Sequence, residues 1–83
     1  MYCVYILKSQ ATDKYYIGQT DDIEKRLIRH NTGQVKSTKS KGPWKVVYRM
    51  SYKTRSEAMN EEMRLKRMKN RSYLEKLIES KSD

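Results

Sequence analysis

The sequence predicts an α+β fold, a three-stranded and mainly antiparallel sheet flanked by helices, and three observations carry that prediction. Two short runs of tyrosine and β-branched residues lie close together near the start of the chain, where a hairpin would pair them. A third such run follows a polar stretch in mid-chain. The segments between and after them carry apolar residues at helical spacing and open on capping residues. The expected order is β-β-α-β-α-α, in one domain spanning residues 1–83, since so short a chain buries only about 60 to 65% of the surface its unfolded form exposes.

Residues 2 to 7, Tyr-Cys-Val-Tyr-Ile-Leu, read as a buried strand, and Lys8 to Lys14 as its connection. Residues 15 to 20, Tyr-Tyr-Ile-Gly-Gln-Thr, are the hairpin partner; Gly18 inside that strand implies a bulge or a close backbone approach. Asp21 or Asp22 can cap a helix whose inward residues are Ile23 and Leu27, and Asn31-Thr-Gly33 supplies the stop. From Gln34 to Pro43 almost nothing is apolar, so the segment is expected to be a mobile basic loop. Trp44 to Tyr52 returns to strand composition. Thr54-Arg-Ser-Glu57 has the form of a capping box opening a helix to about Met68, and Asn70 to Ser72 starts a last helix with Tyr73, Leu74, Leu77 and Ile78.

Hydrophobic residues make up 36% of the chain and Phe is absent, so nearly every apolar side chain, with Tyr2 and Tyr48 foremost, should be inside. Lys and Arg number 19 against 10 Asp and Glu, a net charge of +9 that favours polyanionic partners, nucleic acid first among them. No apolar run approaches the ~18 residues of a membrane span, and no signal-peptide or lipidation pattern is present. With one cysteine, Cys3, the chain can close no internal disulfide, which fits a reducing, cytoplasmic setting.

Arg26 and His30 stand i to i+4 on the first helix, beside the Ile23 and Leu27 stripe. A guanidinium there can grip a phosphate with two hydrogen bonds, and an imidazole can carry a proton near neutral pH. The plainer reading makes Arg26 one solvated cation among many and His30 a helix-end charge on the dipole. On the second long helix Ala58, Met59, Met63 and Leu65 span an apolar arc with Glu62 projecting into its middle, where a carboxylate needs a cation partner or a hard metal such as Mg2+. Lys66, four residues on, is the simplest partner; Glu61 reads as an ordinary surface charge. Of the seven tyrosines, most should pack, while Tyr5 and Tyr16 on the hairpin could line a basic cleft and take a proton from water.

The order of these features resembles the GIY-YIG nuclease superfamily, and specifically its small stand-alone members related to the nuclease domain of the bacterial excision-repair machinery. The likeness runs from residue 2 to about 78. Tyr16-Ile17-Gly18 is an intact YIG triplet, and Cys3-Val4-Tyr5 occupies the GIY position with its tyrosine kept and its glycine replaced. Lys25-Arg26-Leu27 followed by His30 looks like the family's first-helix motif, and Ala58 to Glu62 followed by Lys66 its second-helix pattern. The family's late asparagine has no clear counterpart, and neither Asn70 nor Lys76 is assigned a catalytic role.

The resemblance implies a phosphodiester hydrolase with one divalent ion, Mg2+ or Mn2+, held by Glu62, and no organic cofactor. It implies that Arg26 stabilises charge on the phosphate while Tyr5, Tyr16 or His30 helps to activate water, a contribution of about 10²- to 10⁴-fold for such a base. Gly18 would let the backbone pass close to substrate or to the first helix, and Lys36, Lys39 and Lys41 would hold backbone phosphates. The expected substrate is DNA, or RNA, in repair or processing. Two rivals share the charge: a non-catalytic nucleic-acid-binding module on the same fold, and a small subunit docking an acidic protein.

Overall fold

The computed structural model describes residues 1–68 and 70–81. Strands β1 (Tyr2–Ser9), β2 (Tyr15–Thr20) and β3 (Trp44–Tyr52) and helices α1 (Ile23–Asn31), α2 (Arg55–Arg67) and α3 (Arg71–Lys81) follow one another in the predicted order β-β-α-β-α-α. The sheet is antiparallel throughout, in the order β2-β1-β3. Because β1 is central, Val4, Tyr5, Ile6 and Leu7 are all completely buried, and their alternation sends side chains to both faces. Tyr5 and Leu7 pack with Trp44, Tyr16, Ile23 and Leu27 under α1; Val4 and Ile6 pack with Ile17, Tyr48, Ala58, Leu65 and Leu74 under α2 and α3. A three-layer sandwich results. No helix among the described residues is long and apolar enough to cross a membrane.

Local chemistry fixes the element ends. Asp22 caps α1 by accepting from the Lys25 amide at 3.1 Å. At its other end Gly33 takes φ +78°, its N–H donating to the His30 carbonyl while that of Gln34 reaches Arg29, the paired bonds of a Schellman ending. The capping box forms as expected: Thr54 Oγ1 accepts from the Glu57 amide and Glu57 Oε1 from the Thr54 amide, both at 3.2 Å. Asn70 caps α3 through the amides of Ser72 and Tyr73.

Four expectations are corrected. β1 runs on to Ser9, whose buried hydroxyl donates to the Lys41 carbonyl at 2.6 Å and accepts from the Ala11 and Thr12 amides, so a polar residue ends the strand by organising the turn. The buried face of α2 is Ala58 and Leu65, about 20° apart around the helix at 3.6 residues per turn. Met59 and Met63 turn outward, 44% and 57% exposed, so Glu62 borders the buried stripe instead of interrupting it. Glu61, on the other border, is no ordinary surface charge. It grips Arg64 at 2.6 and 2.7 Å, and Arg64 donates onward to the Tyr73 hydroxyl at 3.1 Å, tying α2 to α3. Tyr48 is buried as expected, whereas Tyr2 is half-buried with the Arg55 guanidinium 4.9 Å over its ring.

Candidate active site

The α1 face of the sheet carries a chain of polar groups inside an apolar layer. The Tyr5 hydroxyl lies 3.0 Å from His30 Nε2, and His30 Nδ1 lies 2.8 Å from Thr38 Oγ1. Thr38 donates its one proton to the Val35 carbonyl at 3.3 Å, so it accepts from an Nδ1–H of His30. In the neutral ring Nε2 is then a lone pair accepting from Tyr5, whose oxygen in turn accepts from Arg26 Nε at 3.4 Å. Burial, with the Arg26 and Arg29 charges, pulls the imidazole pKa from 6.5 to about 4, which disfavours the plainer reading of His30 as a helix-end charge. Burial pushes the Tyr5 phenol up, against the Arg26 hydrogen bond that lowers it.

Gly18 is what admits Tyr5. The two residues are paired across β1 and β2, and a Cβ on Gly18 would meet the Tyr5 hydroxyl oxygen at 2.6 Å and its ring at 2.7 Å. Tyr16, two residues before Gly18 on the same face of β2, sets its ring 4.9 Å from His30 and 6.4 Å from both Tyr5 and Trp44. Exposure separates the three water-activating candidates: Tyr5 and His30 are 0% and 2% exposed, while Tyr16 reaches solvent. Arg26 belongs to both environments. Its pKa is held up by the Tyr5 hydroxyl first and by Tyr16 as well, and its guanidinium lines a cleft with Gln19, Lys25, Arg29 and Arg55.

Glu62 comes from the opposite layer and lies near enough for its charge to raise the Tyr5 phenol. Its side chain is 19% exposed and is paired with Lys66 at 2.7 Å, the simplest partner that spacing offers. Among the described residues no group of three or more His, Cys, Asp or Glu gathers to hold a metal. One carboxylate at a partly open rim nevertheless suits Mg2+, which takes hard oxygen donors, keeps several waters and shares substrate phosphates.

The segment carrying Lys36, Lys39 and Lys41 is more ordered than its composition suggests. It holds one 3-10 turn, Lys36–Thr38, and is pinned by buried Thr38, whose carbonyl accepts from Trp44 Nε1 at 3.1 Å, and by the Ser9 bond to Lys41. Asn31 adds a two-way clasp on the Trp44 backbone, accepting at 2.6 Å and donating at 3.2 Å. The three lysines are exposed. Thr38 escaped the sequence because a threonine among Ser, Lys and Gly carries no mark of burial; Trp44 and Asn31, flanking the same loop, were the available signal.

Comparison with known proteins gives a consistent answer. The family model of the GIY-YIG catalytic domain matches residues 1–76. A UPF0213 protein of Staphylococcus saprophyticus is 38% identical over 77 residues, 92% of this chain and 93% of that one. One from Oceanobacillus iheyensis is 42% identical over 77 residues, 92% of this chain and 87% of its own. The solution NMR structure of a UPF0213 protein from Bacillus halodurans is similar with a TM-score of 0.62 and 31% identity, covering 98% of this chain and 86% of that one.

Proposed function

The chain belongs to the GIY-YIG nuclease family, and from that premise we propose that it is a metal-dependent endonuclease hydrolysing phosphodiester bonds. The observation that carries this reading is Arg26, anchored by Nε to a buried tyrosine and lining an open cationic cleft. An anchored guanidinium approaches a phosphate with little orientational freedom left to lose, and its charge offsets the extra negative charge of the transition state. Tyr16, which reaches solvent beside Arg26, orients the attacking water and, as the phenolate with its own proton given up to solvent, receives the water's proton. Tyr5 and His30 act behind it as positioning residues, because buried groups cannot touch that water. Their hydrogen-bonded line to Thr38 fixes Arg26 and Tyr16.

Glu62 would hold the Mg2+ or Mn2+, giving up Lys66 to do so; the bound ion supplies Lewis-acid polarisation of a phosphate oxygen and neutralises the leaving oxygen. Gly18 contributes by seating Tyr5, and Lys36, Lys39 and Lys41 by holding neighbouring backbone phosphates. DNA before RNA, repair or processing, a cytoplasmic setting and one domain over residues 1–83 complete the reading.

Its test is Mg2+-dependent cleavage of a panel of structured DNA and RNA by wild type, Glu62→Ala, Arg26→Ala and Tyr16→Phe. Wild type alone should cut efficiently, and equal products from all four would place the activity elsewhere. The Glu62–Lys66 pair favours one rival, a non-catalytic binding module in which Glu62 only braces α2. That rival requires nucleic-acid binding with no metal-dependent cleavage by any form.

A further inference from the structure

The cleft that Arg26 lines extends beyond it, with an open volume of about 280 Å³ between α1, the end of β2 and the start of α2. Lys25, Arg29 and Arg55 converge there from two helices on opposite faces of the sheet. Elsewhere Arg64, Lys66 and Arg71 are matched with carboxylates three or four residues away, yet none of these three cleft cations has an ion pair among the described residues. Asp21 and Asp22 also line the cleft, but Asp22 is engaged in capping α1.

Two details suggest an occupant. Arg55 is the first residue of α2, where a cation opposes the helix dipole and an acidic side chain would be the stabilising choice; the Tyr2 ring 4.9 Å from its guanidinium holds the group in place but leaves its charge unneutralised. Gln19, at the wall of the cleft, has a buried Oε1 with no hydrogen-bond partner among the described residues, a polar group that the protein leaves unsatisfied beside the cations.

We propose that this cleft is a second phosphate subsite, which holds the phosphodiester adjoining the scissile one between Arg29 and Arg55. The assignment rests on the reading of Arg26 as the clamp on the scissile phosphate. It makes the substrate a continuous polynucleotide strand running from α1 toward the start of α2. The two guanidinium groups recognise phosphate and not sequence.

The test is equilibrium binding, so it does not depend on cleavage. In a Glu62→Gln background without metal, a single-stranded DNA oligonucleotide is titrated from low to physiological salt with Arg55 intact, with Arg55→Gln and with Arg55→Lys. Removing one cation from a phosphate of a single strand should make log K against log salt less steep by about 0.7 for Gln, with Lys keeping the slope. A series of oligonucleotides, each with one neutral methylphosphonate linkage, locates the phosphate that Arg55 meets: at one position the intact and Arg55→Gln proteins should bind alike. A slope unmoved by Arg55→Gln, or no such position, overturns the subsite. Circular dichroism checks that each variant keeps its fold, and failure of wild-type cleavage would sink the catalytic reading while leaving this result to stand by itself.

Discussion

A methyl group at position 18 would intrude on the Tyr5 phenol, so Gly18→Ala must push aside either a fully buried ring or the strand beneath it. Overpacking of this kind costs about 1 to 3 kcal/mol. Urea denaturation should show that cost in wild type and much less of it in a Tyr5→Leu background, since leucine frees the space; additive losses would mean that Gly18 serves something other than the ring. His30 gives a pH-dependent counterpart. Its folded pKa, about 4, lies below the unfolded 6.5, so the unfolded chain binds the extra proton between them and stability falls as pH drops through that window. Near pH 5 the wild type should lose about 1.4 kcal/mol more per pH unit than His30→Gln, measured by denaturant melts, and parallel curves would show that His30 is charged in the folded state.

At the scale of elements, the loop from Gln34 to Pro43 shows how a polar segment is held without an apolar anchor. Thr38 is its buried pin, satisfied by Val35, Trp44 and His30 at once. Thr38→Val keeps the shape and removes the acceptor for His30 Nδ1–H, a loss of about 1 to 3 kcal/mol for a buried unsatisfied group. Amide hydrogen exchange should show faster opening around Trp44; unchanged protection would mean that the loop is held by its backbone alone. This pin was illegible in the sequence because burial of a hydroxyl comes from tertiary packing that no periodicity encodes. The caps were legible, since Asp22 and the Thr54–Glu57 box act over three residues. The rotation of α2 was not. Met59 and Met63 are apolar by type, but small Ala58 lets the helix sit close to the sheet, and Leu65 two turns later sets the buried line. Arg26 and Glu62 were singled out as candidates by family spacing. The burial that divides Tyr5 and His30 from Tyr16 appears only once β1 is seen to be the central strand.

For the molecule as a whole, a net charge of +9 confers affinity for any polyanion, so charge by itself separates neither nuclease from binder nor nucleic acid from acidic protein. Position does more. The sandwich sets Arg26 on the α1 side, at a cleft that reaches the start of α2, and the exposed Lys36, Lys39 and Lys41 follow in the loop leaving α1. If these lysines meet backbone phosphates, replacing all three by alanine should weaken binding about equally for unrelated sequences. It should also make log K against log salt less steep by about 2 to 3, close to 0.7 to 0.9 for each phosphate no longer neutralised. Once saturated, cleavage should keep its rate, because the loop holds the strand and leaves the bond-breaking groups in place. A slope that stays put would remove the loop from the interface, and a fall in saturated rate would show instead that the lysines act through Thr38 on His30, Tyr5 and Arg26.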